Sequence, residues 1–108
     1  MDKITDEVID RVKKANPGTN VYHCEHDKLP VECIVRAPSV QEWDIFNNLQ
    51  TEKKFSEANE MLVQSCVLYP DKDGLAKQIA EHPALRETWS AEICEVAGIT
   101  SKVKRKKL

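Results

Sequence analysis

Signals that start and stop helices recur along the chain from Ser39 to Gly98, and they restrict the fold more than any other feature of the sequence. Ser39 with Glu42 three residues later has the spacing of a capping box, which marks the start of a helix. Pro70 and Pro83 interrupt the periodic apolar segments, because the residue before a proline avoids helical geometry. The pattern predicts four helices in this part of the chain, the last ending at Gly98 with a left-handed cap.

The second of these predicted helices is the most apolar. It begins after Ser56, a candidate N-cap residue, and runs to Tyr69 with apolar side chains on nearly every face. We therefore expect it at the centre of the fold. Asp71 or Asp73 begins a short third helix, and Pro83 lies in the first turn of the fourth.

The residues before Ser39 change from helical to strand periodicity. Thr5 is a candidate N-cap for a helix with a narrow apolar stripe, which predicts a peripheral position. Residues 21–24 and 31–35 are rich in β-branched and aromatic side chains and are separated by a polar turn, which predicts a β-hairpin. The expected fold is α+β and mostly helical, with an N-terminal helix and a β-hairpin packed on a four-helix C-terminal part.

Length and charge indicate one domain with a basic tail. A chain of 108 residues is long enough for one hydrophobic core, which we assign to residues 1–101. The segment 102–108 holds five of the 16 basic side chains, so the remainder is acidic, and we expect this tail to be flexible. Neither a signal peptide nor a membrane span is visible in the apolar pattern, which favours the cytoplasm.

The hairpin contains the one group of residue types that bind metals, namely His23, Cys24, His26 and Cys33. Zinc sites usually combine two closely spaced ligand pairs, and this chain offers no second pair. Strand alternation also sends His23 to the face opposite Cys24 and His26. We therefore expect ordinary hairpin side chains here, with no metal and no cofactor.

Residues for catalysis are not brought together by the sequence pattern. Cys66 and Cys94 lie in apolar helical stretches, which suits small buried thiols in a reducing compartment and not an activated nucleophile. The three glycines all lie at turns or stops, so no glycine-rich phosphate loop is present. We expect a protein that is not an enzyme.

Four large side chains are candidates for partner binding. Trp43, Phe46, Met61 and Trp89 recur at helical spacing, which fits packing in the core. The same residue types also suit a groove that accepts a helix from another protein. The sequence leaves both interpretations open.

The basic tail supports an alternative function. Lys102 to Lys107 have the charge to contact phosphates, so a small nucleic-acid-associated regulatory protein is the second hypothesis. The acidic body and the lack of aromatic residues among the lysines argue against it. We therefore expect nucleic acid not to be the main partner.

The order of elements resembles the tail assembly chaperones of long-tailed bacteriophages. The similarity covers about Val31 to Gly98 and rests on the segments VECIVRAPSVQEWDIF and EANEMLVQSCVLYPDKDGLAKQIAEHPALRETWSAEICEVAG. In that family, a strand leads through an arginine-proline turn into an aromatic helix, and a tyrosine-proline-aspartate stop precedes the last two helices. The matching positions are Arg36, Pro38, Trp43, Phe46, residues 66–71, Leu75, Pro83, Leu85, Ala97 and Gly98.

The resemblance implies a non-enzymatic protein of the bacterial host cytoplasm that is absent from the mature virion. Such chaperones keep the helical tape measure protein soluble and recruit tail tube subunits. Many are also made as a longer product by ribosomal frameshifting. The helix before the hairpin departs from the family's pattern, and the unpaired hairpin edge favours a homo-oligomer.

Overall fold

The structure, a computed structural model, describes residues 3–98 and 105–108. Within them, five α-helices and three β-strands form a mostly helical α+β fold, which confirms the fold class predicted from the sequence. The elements are α1 Asp6–Ala15, β1 Val21–Glu25, β2 Glu32–Arg36, α2 Val40–Thr51, α3 Phe55–Cys66, β3 Val67–Tyr69, α4 Lys72–Glu81 and α5 Leu85–Val96. None of the helices in the described part of the chain has the length and apolar character needed to cross a membrane.

The predicted domain boundary at residue 101 and the first part of the predicted basic tail lie outside the described residues. Residues 105–108 are described, and they are exposed and outside regular secondary structure.

Several helix ends follow the predicted signals. The Thr5 hydroxyl accepts a hydrogen bond from the backbone N–H of Val8 at the start of α1. The Ser39 hydroxyl accepts from the backbone N–H of Glu42, and the Glu42 carboxylate accepts from the N–H of Ser39, so the predicted capping box is present. These bonds satisfy backbone donors that have no partner inside the helix.

The start of α3 differs from the prediction. The helix begins at Phe55, and Ser56 does not cap it. The reason lies in the end of α2, where Lys53 adopts a left-handed conformation with φ of 62°. The N–H of Lys53 donates to the carbonyl of Gln50, and the N–H of Lys54 donates to that of Leu49. This Schellman motif reverses the chain within three residues, so α3 starts at once.

A third strand replaces the last turn of the helix that was predicted to reach Tyr69. That helix ends at Cys66, and β3 pairs antiparallel with β2, with Ile34 opposite Tyr69 and Val35 opposite Val67. The sheet order is β1-β2-β3, so β2 is central. The helical prediction was wrong here because the backbone groups of these residues pair with β2, whose second edge would otherwise lack partners.

The two faces of the sheet are covered differently. The inner face, toward α2–α5, contributes Cys33 and Val35 to the main core. On the outer face, Ile34 packs with Ile4 and Val12 in a small cluster under α1. The main core is formed by Val31, Cys33, Val35, Phe46, Ala58, Leu62, Val63, Cys66, Leu75, Leu85, Trp89 and Ile93.

Polar side chains connect the sheet to the helices. The Arg36 guanidinium at the end of β2 donates two hydrogen bonds to the Glu42 carboxylate of α2, at 2.8 and 2.9 Å, and one to the carbonyl of Ser65 at 2.8 Å. The Gln78 side-chain amide of α4 donates to the carbonyl of Glu32, and its oxygen accepts from the Trp89 indole, each at 3.2 Å.

Candidate functional site

Of the four side chains considered as candidates for partner binding, two lie inside the main core and two lie at its edge. Phe46 and Trp89 are only 3% and 1% exposed, so in this fold they have no surface to offer a partner. Their burial agrees with the core-packing interpretation, because their helices turn these side chains toward the main core. Trp43 and Met61 are partly buried and pack against the edge of that core.

Trp43 lies at an open apolar groove between the start of α2 and the end of α5. The groove has a volume of about 260 Å³ and is lined by Ala37, Pro38, Ser39, Val40, Trp43, Val96 and Ala97. We call it the Trp43 groove. The Trp43 ring lies 5.3 Å from the ring of buried Phe46, centroid to centroid, and this contact holds it in place. Val40 beside it is 79% exposed.

The backbone around this groove is fixed by the polar contacts at the start of α2. The Arg36 guanidinium, and to a lesser extent the Ser39 backbone, hold the pKa of Glu42 at about 2. Glu42 therefore stays ionised and remains bound to Arg36 at neutral pH. The turn at residues 37–39 is held between this ion pair and the capping box, so the groove wall is preformed.

Acidic residues adjoin two of the lining residues in sequence. Asp44 follows Trp43 and Glu95 precedes Val96, and both are exposed. They belong to an acidic body, since residues 1–101 contain 11 basic and 18 acidic side chains. The net charge of this part of the chain therefore favours a cationic partner.

The predicted hairpin group is divided between the two faces of the sheet. Cys24 lies opposite Cys33, and His23 lies opposite Ile34 on the other face, as strand alternation predicts. His26 is used locally, because its Nδ1 accepts hydrogen bonds from the N–H groups of Lys28 and Leu29 at 3.0 Å. The four side chains are therefore not one ligand set.

The structure instead brings His23 together with two carboxylates that the sequence analysis did not consider, Glu25 and Glu32. The Nε2 atom of His23 lies 2.7 Å from a carboxylate oxygen of Glu32 and 3.9 Å from one of Glu25. A histidine and a glutamate two residues apart on β1 were visible in the sequence. The register that places Glu32 beside them was not.

The buried thiols are shielded from reaction. Desolvation raises the pKa of Cys66 to about 11. A hydrogen bond between Cys24 and Cys33 lowers the pKa of Cys24, whereas that bond and burial raise the pKa of Cys33. Cys33 and Cys66 therefore stay protonated near neutral pH and serve as small apolar side chains of the main core.

Comparison with known proteins identifies the family. Residues 4–106 match the model of the family described as a domain of unknown function, DUF6848. The chain belongs to this family. No curated protein matched the sequence.

A solved structure, that of the uncharacterised protein rbstp2171 from Bacillus stearothermophilus, is similar to the DUF6848 fold seen here. The two superpose with a TM-score of 0.75 at 19% identity, over 91% of this chain and 99% of the other. At this level of identity, the similarity shows a shared fold.

Proposed function

We propose that this DUF6848 protein is a non-enzymatic tail assembly chaperone that binds an amphipathic helix of a phage or prophage tape measure protein in the Trp43 groove. The observation that carries the proposal is the position of Trp43, which is fixed by Phe46 at the edge of an open apolar groove. In this role the protein acts in the bacterial host cytoplasm, where it also recruits tail tube subunits before the tail tube polymerises.

The shape of the groove supports a helix as the occupant. It is short and open, with α2 on one side and the end of α5 on the other. A helix that presents apolar side chains at i, i+3 or i+4, and i+7 fills such a groove with a few anchors. Val40 is exposed at its rim and gives the helix a further apolar contact.

Charge supports the same class of partner. The acidic balance of residues 1–101 favours a partner helix that carries lysine or arginine beside its apolar stripe. The resemblance to tail assembly chaperones, which rests on residues from Val31 to Gly98, supports the tape measure protein as the source of that helix.

The chemistry of the groove supports binding and not catalysis. Ser39 is the one hydroxyl among its described lining residues, and it is already engaged in the capping box. The nearest ionised pair, Arg36 with Glu42, is bound to itself and to the carbonyl of Ser65. Neither pair of groups is placed to activate a nucleophile.

Co-expression tests the proposal. The tape measure protein encoded in the same genome is produced with wild-type protein, with Val40→Asp or with Ile45→Asp, and its soluble fraction is measured. Val40 opens α2, where an acidic side chain favours the helix, so Val40→Asp should leave the fold intact and abolish the gain in solubility. Ile45 is 49% exposed on the same helix but does not line the groove, so Ile45→Asp should behave as wild type.

The proposed function fails if wild-type protein does not raise the soluble fraction. A Val40→Asp variant that stays fully active would overturn the groove as the binding site. Circular dichroism of the purified variants confirms that each is folded.

Exposed Arg105, Lys106 and Lys107 favour the second candidate, a nucleic-acid-associated regulator. Deleting residues 102–108 and measuring DNA and RNA binding at 50 and 200 mM salt separates the two. Electrostatic binding that is strong at low salt and lost on deletion supports the regulator. Absence of such binding in the full chain removes it.

A further inference from the structure

We propose that the outer face of the hairpin binds a divalent transition-metal ion, with Zn²⁺ as the best match, through the Nε2 atom of His23 and the carboxylates of Glu25 and Glu32. This site is separate from the Trp43 groove and goes beyond the proposed chaperone function.

The strand register creates the site. Glu25 pairs directly with Glu32 across the β1-β2 ladder, and His23 lies two residues before Glu25 on the same strand. All three side chains therefore extend from the outer face of the sheet. One ligand atom from each lies within 4.8 Å of the others.

The charges of the site call for a cation. Two glutamates directly opposite each other in an antiparallel ladder repel and destabilise the hairpin. Within residues 3–98 and 105–108, both carboxylates form their ion pair with the same side chain, that of His23. A divalent ion bound between the two carboxylates offsets their repulsion.

The donor set matches zinc more closely than magnesium or calcium. One imidazole nitrogen and two carboxylate oxygens are ordinary zinc ligands, at about 2.0–2.2 Å from the ion, and water completes the coordination. Magnesium and calcium prefer oxygen ligands alone. Ligand atoms of a tetrahedral zinc ion are roughly 3.3 Å apart. In the structure the Nε2 atom of His23 is hydrogen-bonded to the Glu32 carboxylate at 2.7 Å and lies 3.9 Å from that of Glu25, so a bound ion replaces the proton shared by His23 and Glu32.

The neighbouring residues hold Glu32 in position and leave the proposed site open to solvent on one side. The backbone N–H of Ile4 points to the same Glu32 oxygen that contacts His23, at 3.4 Å, and the Glu32 carbonyl accepts a bond from Gln78. The Glu32 side chain is largely shielded, with 17% exposure, whereas that of Glu25 is 72% exposed. An ion therefore enters from the side of Glu25 and binds against a fixed Glu32.

The test uses tag-free, full-length protein that has been dialysed against chelator, with ZnCl₂ as the probe in isothermal titration calorimetry and thermal unfolding. Wild-type protein should bind one zinc ion per chain and melt at a higher temperature when zinc is present. Glu25→Gln and His23→Gln should each weaken binding by about tenfold or more. Glu60→Gln and His82→Gln, which change the same residue types elsewhere on the surface, should bind as wild type.

Glu25→Gln gives a second signature. It removes the repulsion between Glu25 and Glu32, so without zinc it should melt at or above the temperature of wild type, while zinc should raise its melting temperature little. This pair of shifts is not expected from a merely structural side chain. Wild-type binding by Glu25→Gln and His23→Gln, several weak sites, or no binding by wild-type protein overturns the proposal.

Discussion

The inner and outer faces of the same three-stranded sheet have opposite characters. On the inner face, Cys33 and Val35 are fully buried among side chains from α2 to α5. On the outer face, Ile34 is covered by Ile4 and Val12, and polar side chains occupy the positions beyond it. The inner face holds the fold together, whereas the outer face, which is covered by fewer side chains, has room for charged residues.

This difference explains where the proposed sites lie. The Trp43 groove is at the margin of the main core, between the start of α2 and the end of α5. The His23 site is on the outer face, beyond the small cluster. Each includes exposed residues outside the main core, such as Val40 and Glu25, at which the fold is expected to tolerate substitution.

Leu62→Ala should have the largest effect on stability. Leu62 is fully buried on α3 in the main core, and truncating it leaves a cavity that costs about 2–5 kcal/mol of unfolding free energy. Urea unfolding followed by circular dichroism measures the loss. A loss below 1 kcal/mol would mean that the inner face does not hold the fold together as described.

Glu42→Gln should distinguish the two contributions of Glu42 to stability, which are its ion pair with Arg36 and its part in the capping box of α2. Glutamine still accepts from the Ser39 N–H but loses the ionic bond to Arg36. Because the pair is partly exposed, solvent screening limits the expected loss to about 1–2 kcal/mol at pH 7.

The pH dependence of that loss follows from the lowered pKa of Glu42, about 2 in the fold against an ordinary 4.5. Its contribution is complete above pH 4.5 and disappears as the pH falls toward 2. Wild type and Glu42→Gln should therefore converge in stability near pH 2, as measured by urea unfolding across pH. A difference that is constant from pH 7 to pH 2 would assign the loss to packing. Glu60→Gln serves as the exposed control.

Val12→Ala tests the outer face by the same measurement as Leu62→Ala. Val12 is buried under α1 in the small cluster, and losing two methyl groups there should cost about 1–1.5 kcal/mol. A loss equal to that of Leu62→Ala would break the contrast between the two faces, because it would make α1 an integral part of the core.

Lys53→Gly should have the smallest effect, and it should be stabilising. Lys53 has a left-handed backbone at the end of α2, which disfavours any residue with a β-carbon. Glycine removes that penalty but adds freedom to the unfolded chain, so the expected gain is about 0.5–1 kcal/mol. Lys53→Ala is the control, since it removes the charge and keeps the β-carbon. Equal gains in both variants would attribute the effect to charge.

Local signals predicted much of the fold. The capping residues Thr5 and Ser39 and the two strands of the hairpin lie where the sequence places them. The third strand was missed because Val67, Leu68 and Tyr69 continue the apolar spacing of α3. Their partner strand, β2, lies far earlier in the chain, so no local pattern reveals the pairing.

The candidate sites were less predictable than the fold. Trp43 and Trp89 both recur at helical spacing, and only the packing of α5 against the other helices decides that Trp89 is buried. The Glu25 and Glu32 pair depends on strand register, and a shift of one residue would send one of them to the other face. The sequence shows which types of side chain are present, but it does not show which of them become neighbours in the fold.

The Gln78 carboxamide joins the sheet to α5 through both of its polar atoms. Gln78 donates from its nitrogen to the Glu32 carbonyl while its oxygen receives the Trp89 indole proton. A carboxylate of equal length would lose the donor, and an aliphatic chain would lose both functions. An aliphatic residue at position 78 should therefore be tolerated only where residue 89 has no proton to donate and another donor reaches the carbonyl of residue 32.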